Sequence, residues 1–459
     1  MVTLWAGTLP TAAADRIRAP RVEAEEHVYD YEDARNGAGP MWCYGSSCVA
    51  RAGQTVWVSA LETIPGAKPL NNTRWALYRR NAAGWQRIAA DPVGRTREPC
   101  PIALLDGKTL ALSVNPTLAP LDSYSGPAQP EMLLFDVASD APRQARALLP
   151  SWQGAPPFTE HSYRGLAADG RHGELLLMNV VGHIAQHWSF WDRRGEWTAK
   201  GRWEFPMGVE YARPEPIRLC YPTLALQDRA AHVLAISDII EPVPAWREFK
   251  RQLTGQEWDY DFRRLFYAWS PDITRGTFGG TVEIASREAT CGWITNLDIA
   301  LERKDRAHLL WLERSVARSE MRDRFFPGTP MTVSLEHAVV ERGAVVSRRT
   351  LAIGGEGAES VSPGYGRLHV DDRGRLYVLA YFSGQRDGTS VSENRLLLLQ
   401  NDGTIARSWT LPLKRPFANF MTATSRAGTA PSRTLDILGP AEGQSGISYA
   451  RVRLPDDLD

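Results

Sequence analysis

One pattern recurs along the whole chain and constrains its fold more than any other feature. A small or aromatic residue precedes a short apolar run, a polar turn often containing Asp or Gly follows, and a second apolar run closes the unit. It occurs at Trp42-Cys43-Tyr44 before TVWVSALE, and at Cys100-Pro101-Ile102 through Asp106-Gly107 to LALSVN. It returns at Ser162-Tyr163-Arg164 through Asp169-Gly170 to ELLLMNVVGH, at Cys220-Tyr221-Pro222 before HVLAISD, and at Cys291-Gly292-Trp293 before HLLWLER. Pro363-Gly364-Tyr365 before LYVLAYF and Asn419-Phe420-Met421 before TLDILGP complete the series. These units stand roughly 55 to 72 residues apart, room for four short strands and their loops.

The intervening segments supply the further strands: RWALYRR, EMLLFDV, WSFWDRR, LFYAWSP, HAVVERG and RLLLLQNDG are each β-rich and bounded by turn residues. Helical patterns are confined to 245–253 and 314–325. The seventh unit ends one strand short after ISYARVRL, and PRVEAEEHVY near the start supplies the missing strand. The expected fold is therefore all-β: a seven-bladed β-propeller of four-stranded antiparallel blades, its ring closed by an N-terminal strand. The alternative is a pair of β-sandwiches, but no composition shift or Pro/Ser-rich linker divides the chain. Residues 21–459 are assigned to one propeller, and residues 1–20 to a disordered or signal-peptide remnant ending in small residues.

Composition narrows the function. Fifty-three basic and 53 acidic side chains cancel, leaving no excess for a phosphate backbone. No apolar run reaches the ~20 residues of a membrane span. Nucleic acid and membrane are excluded as expected partners, and a monomer is expected. Five widely spaced cysteines form no CxxC pair, so neither a disulfide scaffold nor a zinc site is predicted. No P-loop, GxSxG, HExxH or dinucleotide fingerprint occurs, and the expected chemistry requires no cofactor.

In a propeller the entry of each innermost strand and the exit of the second strand share one face. Entry positions include Trp42, Tyr44, Arg97, His161, Arg164, Arg218, Tyr221, Trp293 and Tyr365. Exit positions include Glu62, Asn115, His183, Asp238, Glu313 and Arg314. His161 and His183 bracket one hairpin and Tyr221 opens the next blade, so these three are the catalytic candidates. Histidine titrates near neutrality and suits acid–base work. Arg164, Arg218, Arg97, Asn115, Trp293 and Arg314 are the expected substrate-binding groups, suited to a polar, anionic ligand. His187 is expected on the following loop, whereas His232 and His308, at the opposite strand ends, are expected to be structural.

The stretches Glu160-His161-Ser162-Tyr163-Arg164-Gly165, Arg218-Leu219-Cys220-Tyr221-Pro222 and Ala289-Thr290-Cys291-Gly292-Trp293 resemble those of BNR-repeat propellers, and among them the seven-bladed ulvan lyases. The resemblance implies a secreted or periplasmic polysaccharide lyase that cleaves beside a uronic acid by β-elimination, with an anionic polysaccharide or oligosaccharide as substrate. It places His161, His183 and Tyr221 in the catalytic positions. Those lyases carry a carboxylate-neutralising arginine one hairpin after the tyrosine. Here that exit reads Ser237-Asp238-Ile239-Ile240-Glu241, so Arg218, Arg164 or Arg314 is expected to substitute. The alternatives on the same scaffold are a glycoside hydrolase, for which Asp238 and Glu313 are the candidate carboxylates, and a non-catalytic glycan-binding propeller.

Overall fold

The computed structural model describes residues 19–138, 143–256 and 259–455. All but the last two residues of the 1–20 remnant lie outside them. Seven four-stranded antiparallel sheets form the blades of a propeller. Blades 1 to 6 run in chain order outward from inner strands Val49–Ala52, Ile102–Leu104, Gly165–Asp169, Leu219–Gln227, Trp293–Arg303 and Val361–Val370. Blade 7 starts at Met421–Thr422, and its outermost strand is the N-terminal segment Arg21–Tyr29, paired antiparallel with Ile447–Arg453. The predicted closure is thus present, and a bidentate pair from Arg80 of blade 1 to Glu26 (2.6 and 2.7 Å) ties that closing strand to its neighbour.

Burial explains the sequence pattern. The inner strands of each blade are covered on both faces by adjacent blades, so Glu174–Val181 and Ala230–Ser237 are buried at every position. The outer strand Trp197–Glu204 alternates buried and exposed positions, as a strand with one wet face must. The cores lie between blades. One cluster joins Leu176, Trp188, Leu224, Leu234, Ile294 and Trp311 from blades 3, 4 and 5.

Two helices interrupt the strands. Helix α1 (Pro244–Thr254) begins with proline in its first turn and stops at Gly255, which takes a left-handed φ of 69°. Helix α2 (Ser319–Phe325) is shorter than the pattern predicts, because residues through Arg314 belong to the strand Arg306–Arg314. Both stand on one face of the ring, called here the upper face, in the loops between the second and third strands of blades 4 and 5.

The channel is filled rather than open. The loop between the first two strands of blade 7 folds beneath it, where the Ala427 and Arg426 carbonyls accept from Leu104 N (2.9 Å) and Ala168 N (2.8 Å) of blades 2 and 3. Gly428 is required there, since a Cβ would lie 1.8 Å from the Leu104 oxygen and φ is +75°. Arg426 runs up the axis to Asp298 (2.9 Å) and to the Gly45 carbonyl (2.8 Å).

Two predictions follow from this packing. Arg426→Met leaves the charge of Asp298 buried without its cation, and urea denaturation is expected to show a loss of about 3–5 kcal/mol; the double variant with Asp298→Asn should recover part of it. The second concerns the structural histidines. His232 is bonded to Tyr267 and to the Lys304 carbonyl, and burial depresses its pKa to about 4. His337, paired with His308 at 3.0 Å, falls to about 3 through burial and then His308. Groups depressed on folding take up protons first in the unfolded chain. Stability is therefore full above about pH 6.5 and declines as pH falls toward 4, by up to about 1.4 kcal/mol per pH unit for each histidine. Denaturation midpoints at pH 7.5 and about 5 measure it, and His337→Gln should flatten the decline.

Candidate functional site

Three inner strands are entered through residues in left-handed backbone: Tyr163 (φ 41°), Tyr221 (φ 51°) and Cys291 (φ 47°). At Tyr221 the pairing register slips between Cys220 and Thr223, a bulge that redirects the side chain. These kinks help to build an aromatic floor across the upper mouth of the channel. Tyr44 stacks on Tyr221 at 4.8 Å, Tyr163 meets it edge-on at 5.1 Å, and Trp42 and Phe262 flank it at 5.9 and 6.0 Å. Trp293 packs on Phe262 at 4.9 Å. A cavity of about 520 Å³ borders Trp42, Tyr44 and Tyr221 of this floor and is lined on its other sides by Tyr31, Met41 and Asn419.

The polar groups stand beside the floor. His161, partly exposed, sets Nδ1 3.1 Å from Glu160 Oε1, leaving Nε2 as its free nitrogen. Burial opposes ionisation of Glu160, but hydrogen bonds from His161 and the Gly126 amide outweigh it and hold the carboxyl below its usual range. The His161 ring lies 6.4 Å from Tyr163. Arg218 places its guanidinium between Tyr163 (5.7 Å) and Tyr260 (5.1 Å) and is clamped by Asp238. His183 stands exposed on the next turn of blade 3, its pKa lowered by the surrounding protein and then by Arg218, with Asp238 pulling the other way. His161 and Tyr221 therefore both border Tyr163, and His183 feels the charge of the arginine that lies over it.

Tyr221, the third expected catalytic residue, is buried with its ring stacked on Tyr44 and met edge-on by Tyr163. Burial, then the phenols of Tyr163 and Tyr44, raise its pKa well above the normal value.

Three expected binding residues are spent inside the protein. Arg164 is 1% exposed and donates to the Pro99 carbonyl (2.5 Å), Ser162 Oγ (3.0 Å) and Cys100 Sγ (3.6 Å). Arg97 is buried under Trp42 and donates to the Asn36 carbonyl. Asn115 donates to the Thr159 carbonyl. Trp293 belongs to the aromatic floor and Arg314 is exposed on the upper face. His187 is buried in the strand Ala185–Trp191, not on a loop. The expected hydrolytic carboxylates are both clamped, Asp238 by Arg218 and Glu313 by Arg287 (2.5 Å) and Arg348 (2.6 Å).

Glu98, absent from the expected site, organises it from below. Its buried carboxylate accepts from Ser162 N (3.2 Å), Ser162 Oγ (2.6 Å) and Tyr163 N (2.9 Å), which fixes the segment carrying His161. Its only sequence signal is its place two residues before Cys100.

Among the described residues, two clusters have metal-ligating composition. Glu241, Asp261 and Cys291 converge in the interior, but the Lys250 ammonium (2.8 Å from Glu241) and Arg263 (2.7 Å) already fill that place. Asp169, His172 and Asp228 meet at the lower rim, beside Arg171. A second cavity of about 850 Å³ opens on that lower face, lined by the axial loop and by the first turn of every other blade.

No family model matches the chain, and no curated protein matches it. Solved structures share its architecture at low identity. An α-L-arabinofuranosidase from Fusarium graminearum is 10% identical with a TM-score of 0.44, over 95% of this chain and 99% of that one. An α-L-arabinanase from Penicillium chrysogenum is 10% identical with a TM-score of 0.40, over 95% and 100%. The propeller domain of a protease from Pyrococcus furiosus is equally distant, 10% identical with a TM-score of 0.41 over 90% and 98%.

Truncation tests the packing role of the Tyr221 ring. Tyr221→Phe keeps the ring and is expected to lie within about 1 kcal/mol of the parent in denaturant titration. Tyr221→Ala removes the centre of the floor and should cost about 3–5 kcal/mol.

Proposed function

We propose that this protein is a carbohydrate-processing enzyme acting at the upper mouth of its channel, and that the reaction is β-elimination beside a uronic acid. The observation that carries this reading is the His161–Glu160 pair at the edge of an aromatic floor. An imidazole held through Nδ1 by a carboxylate presents Nε2 as a proton acceptor. The floor of Tyr44 and Tyr221 offers the flat apolar surface on which a sugar face packs. Arg218, between two tyrosine rings, supplies the positive charge that a uronate carboxylate needs beside it.

In this scheme the proton on C5 passes to His161 Nε2, the C4–O bond breaks, and a C4=C5 double bond forms. The departing oxygen takes a proton from an acid at the same mouth, and His183, on the next turn of blade 3, is the residue assigned to that step. The removed proton is weakly acidic until the adjacent carboxylate is neutralised, so Arg218 contributes most as negative charge develops.

Hydrolysis is the second reading, and Glu160 favours it: this carboxylate is ionised and stands on the same rim. It would need a second carboxylate about 5–9.5 Å away, and the clamped Asp238 and Glu313 are poorly suited to the task.

Incubation with a panel of uronate polysaccharides, and with neutral arabinan, separates the two. Elimination gives absorbance near roughly 235 nm from the unsaturated product, whereas hydrolysis gives new reducing ends without it. His161→Ala should lower the elimination rate by about 10²–10⁴-fold, and Glu160→Gln should lower it less. Folded protein that yields neither product from any polysaccharide overturns the enzymatic reading.

A further inference from the structure

We infer that the two helices of the upper face form a polyanion-docking wall, outside the proposed reaction centre, which holds an extended stretch of an anionic polysaccharide. The wall is built by insertions of adjacent blades. Phe249 of α1 meets Phe325 of α2 at 5.5 Å, and Trp246 meets Phe326 at 5.3 Å. Arg324 lies over Phe249 at 4.5 Å and over Phe325 at 5.4 Å. Below, Lys250 and Arg263 are locked to Glu241 and Asp261, so α1 is fixed to its blade by a fully buried charge cluster. The wall is continuous with the mouth, since the same insertion delivers Tyr260 onto Arg218 and the chain then enters Phe262 of the floor.

Its charge is unlike that of the whole molecule. The chain is neutral, yet apart from the buried Lys250 the segments 244–254 and 314–326 hold six arginines against three carboxylates. Arg247, Arg314 and Arg318 are exposed, and none of them forms an ion pair among the described residues. Elsewhere on this protein arginines are typically bound to carboxylates, as Arg303 and Arg306 are to Glu341. Exposed arginines without ion pairs, on segments that also carry partly exposed aromatic rings, suit carboxylate or sulfate groups on a sugar chain. Four arginines without an ion pair among the described residues, Arg324 included, fall short of the ~6–10 phosphate contacts of a nucleic-acid groove, which favours the polysaccharide.

The wall rests on the carbohydrate reading above, and its test is a binding measurement that needs no turnover. Polygalacturonate serves as the probe, titrated calorimetrically into the full chain at about 50 and about 200 mM NaCl. The parent should bind, and more weakly at the higher salt. The Arg247→Ala/Arg318→Ala variant should bind about tenfold more weakly with a flatter salt dependence, while its melting temperature stays that of the parent. Neutral arabinan should bind both proteins alike. Equal affinity of parent and variant, salt-insensitive binding, or no binding of polygalacturonate by the parent overturns the wall. Tighter binding of single-stranded DNA than of polygalacturonate reassigns it to nucleic acid and also overturns it. His161→Ala should bind the probe normally. Normal binding without turnover of any polysaccharide therefore removes the proposed reaction and leaves the wall standing, and turnover with unchanged variant binding does the reverse.

Discussion

The inner edge of each blade sets the terms for everything else in this propeller. An innermost strand pairs on one side only, so its other row of amides and carbonyls faces the axis, which buried side chains occupy. Buried side chains answer for those groups. Arg367, 1% exposed, donates to carbonyls of Leu297, Tyr44 and Phe420, and Arg164 and Arg426 serve other edges in the same way. Carboxylates do the converse: Asp298 accepts from Leu368 N at 2.9 Å, as Glu98 does from Ser162 and Tyr163. Because each such group reaches across to a different blade, satisfying the edges also fixes the blades to one another.

The candidate site is a by-product of that stitching. Glu98 holds the amides of Ser162 and Tyr163, while Asn296 donates to the Tyr221 carbonyl at 2.8 Å. These bonds sustain the left-handed kinks that turn Tyr163 and Tyr221 onto the axis, a conformation that side chains other than glycine rarely adopt unaided. His161 then emerges two residues before one kink and is aligned by Glu160. A rigid floor and a fixed imidazole come from the same hydrogen bonds that close the core.

This division explains which parts of the molecule were legible in the sequence. The seven hairpins and the closing strand were readable because period and burial act on whole strands, and apolar runs record them directly. The rim was readable to the level of the segment but not of the side chain. In a strand entry consecutive residues point in different directions, so His161 reaches the rim while Ser162 and Arg164 turn inward. An arginine near a channel mouth suggests a ligand, yet Arg164, Arg97 and the amide of Asn115 are used by backbone carbonyls, a demand that no local pattern announces. Glu98 was overlooked for the same reason. Its partners lie more than sixty positions away along the chain, at Ser162 and Tyr163.

The insertion of blade 4 shows the same logic with charge in place of backbone. Removing Lys250, Arg263, Glu241 and Asp261 from water is expensive, and a buried pair of this kind contributes little net stability compared with apolar packing. Burial and the hydrogen bond it donates to Glu241 push the Asp261 carboxyl well above its normal range, while Glu241, facing Arg263 and Lys250, is held far below it. One carboxylate is therefore charged and its neighbour is inclined to keep a proton, which lets four ionisable groups share one dry space. What the arrangement secures is position. A helix held only by Trp246 and Phe249 against Phe325 and Phe326 could slide along those rings, whereas Lys250 of the helix, bonded to Glu241 at 2.8 Å and to Asp261 at 3.2 Å, ties it to a carboxylate that the bidentate Arg263 contact at 2.7 and 2.9 Å holds in one place. Tyr260 and Phe262 flank Asp261 of the same clamp, and through them the register of α1 reaches Arg218 and Tyr221 at the mouth.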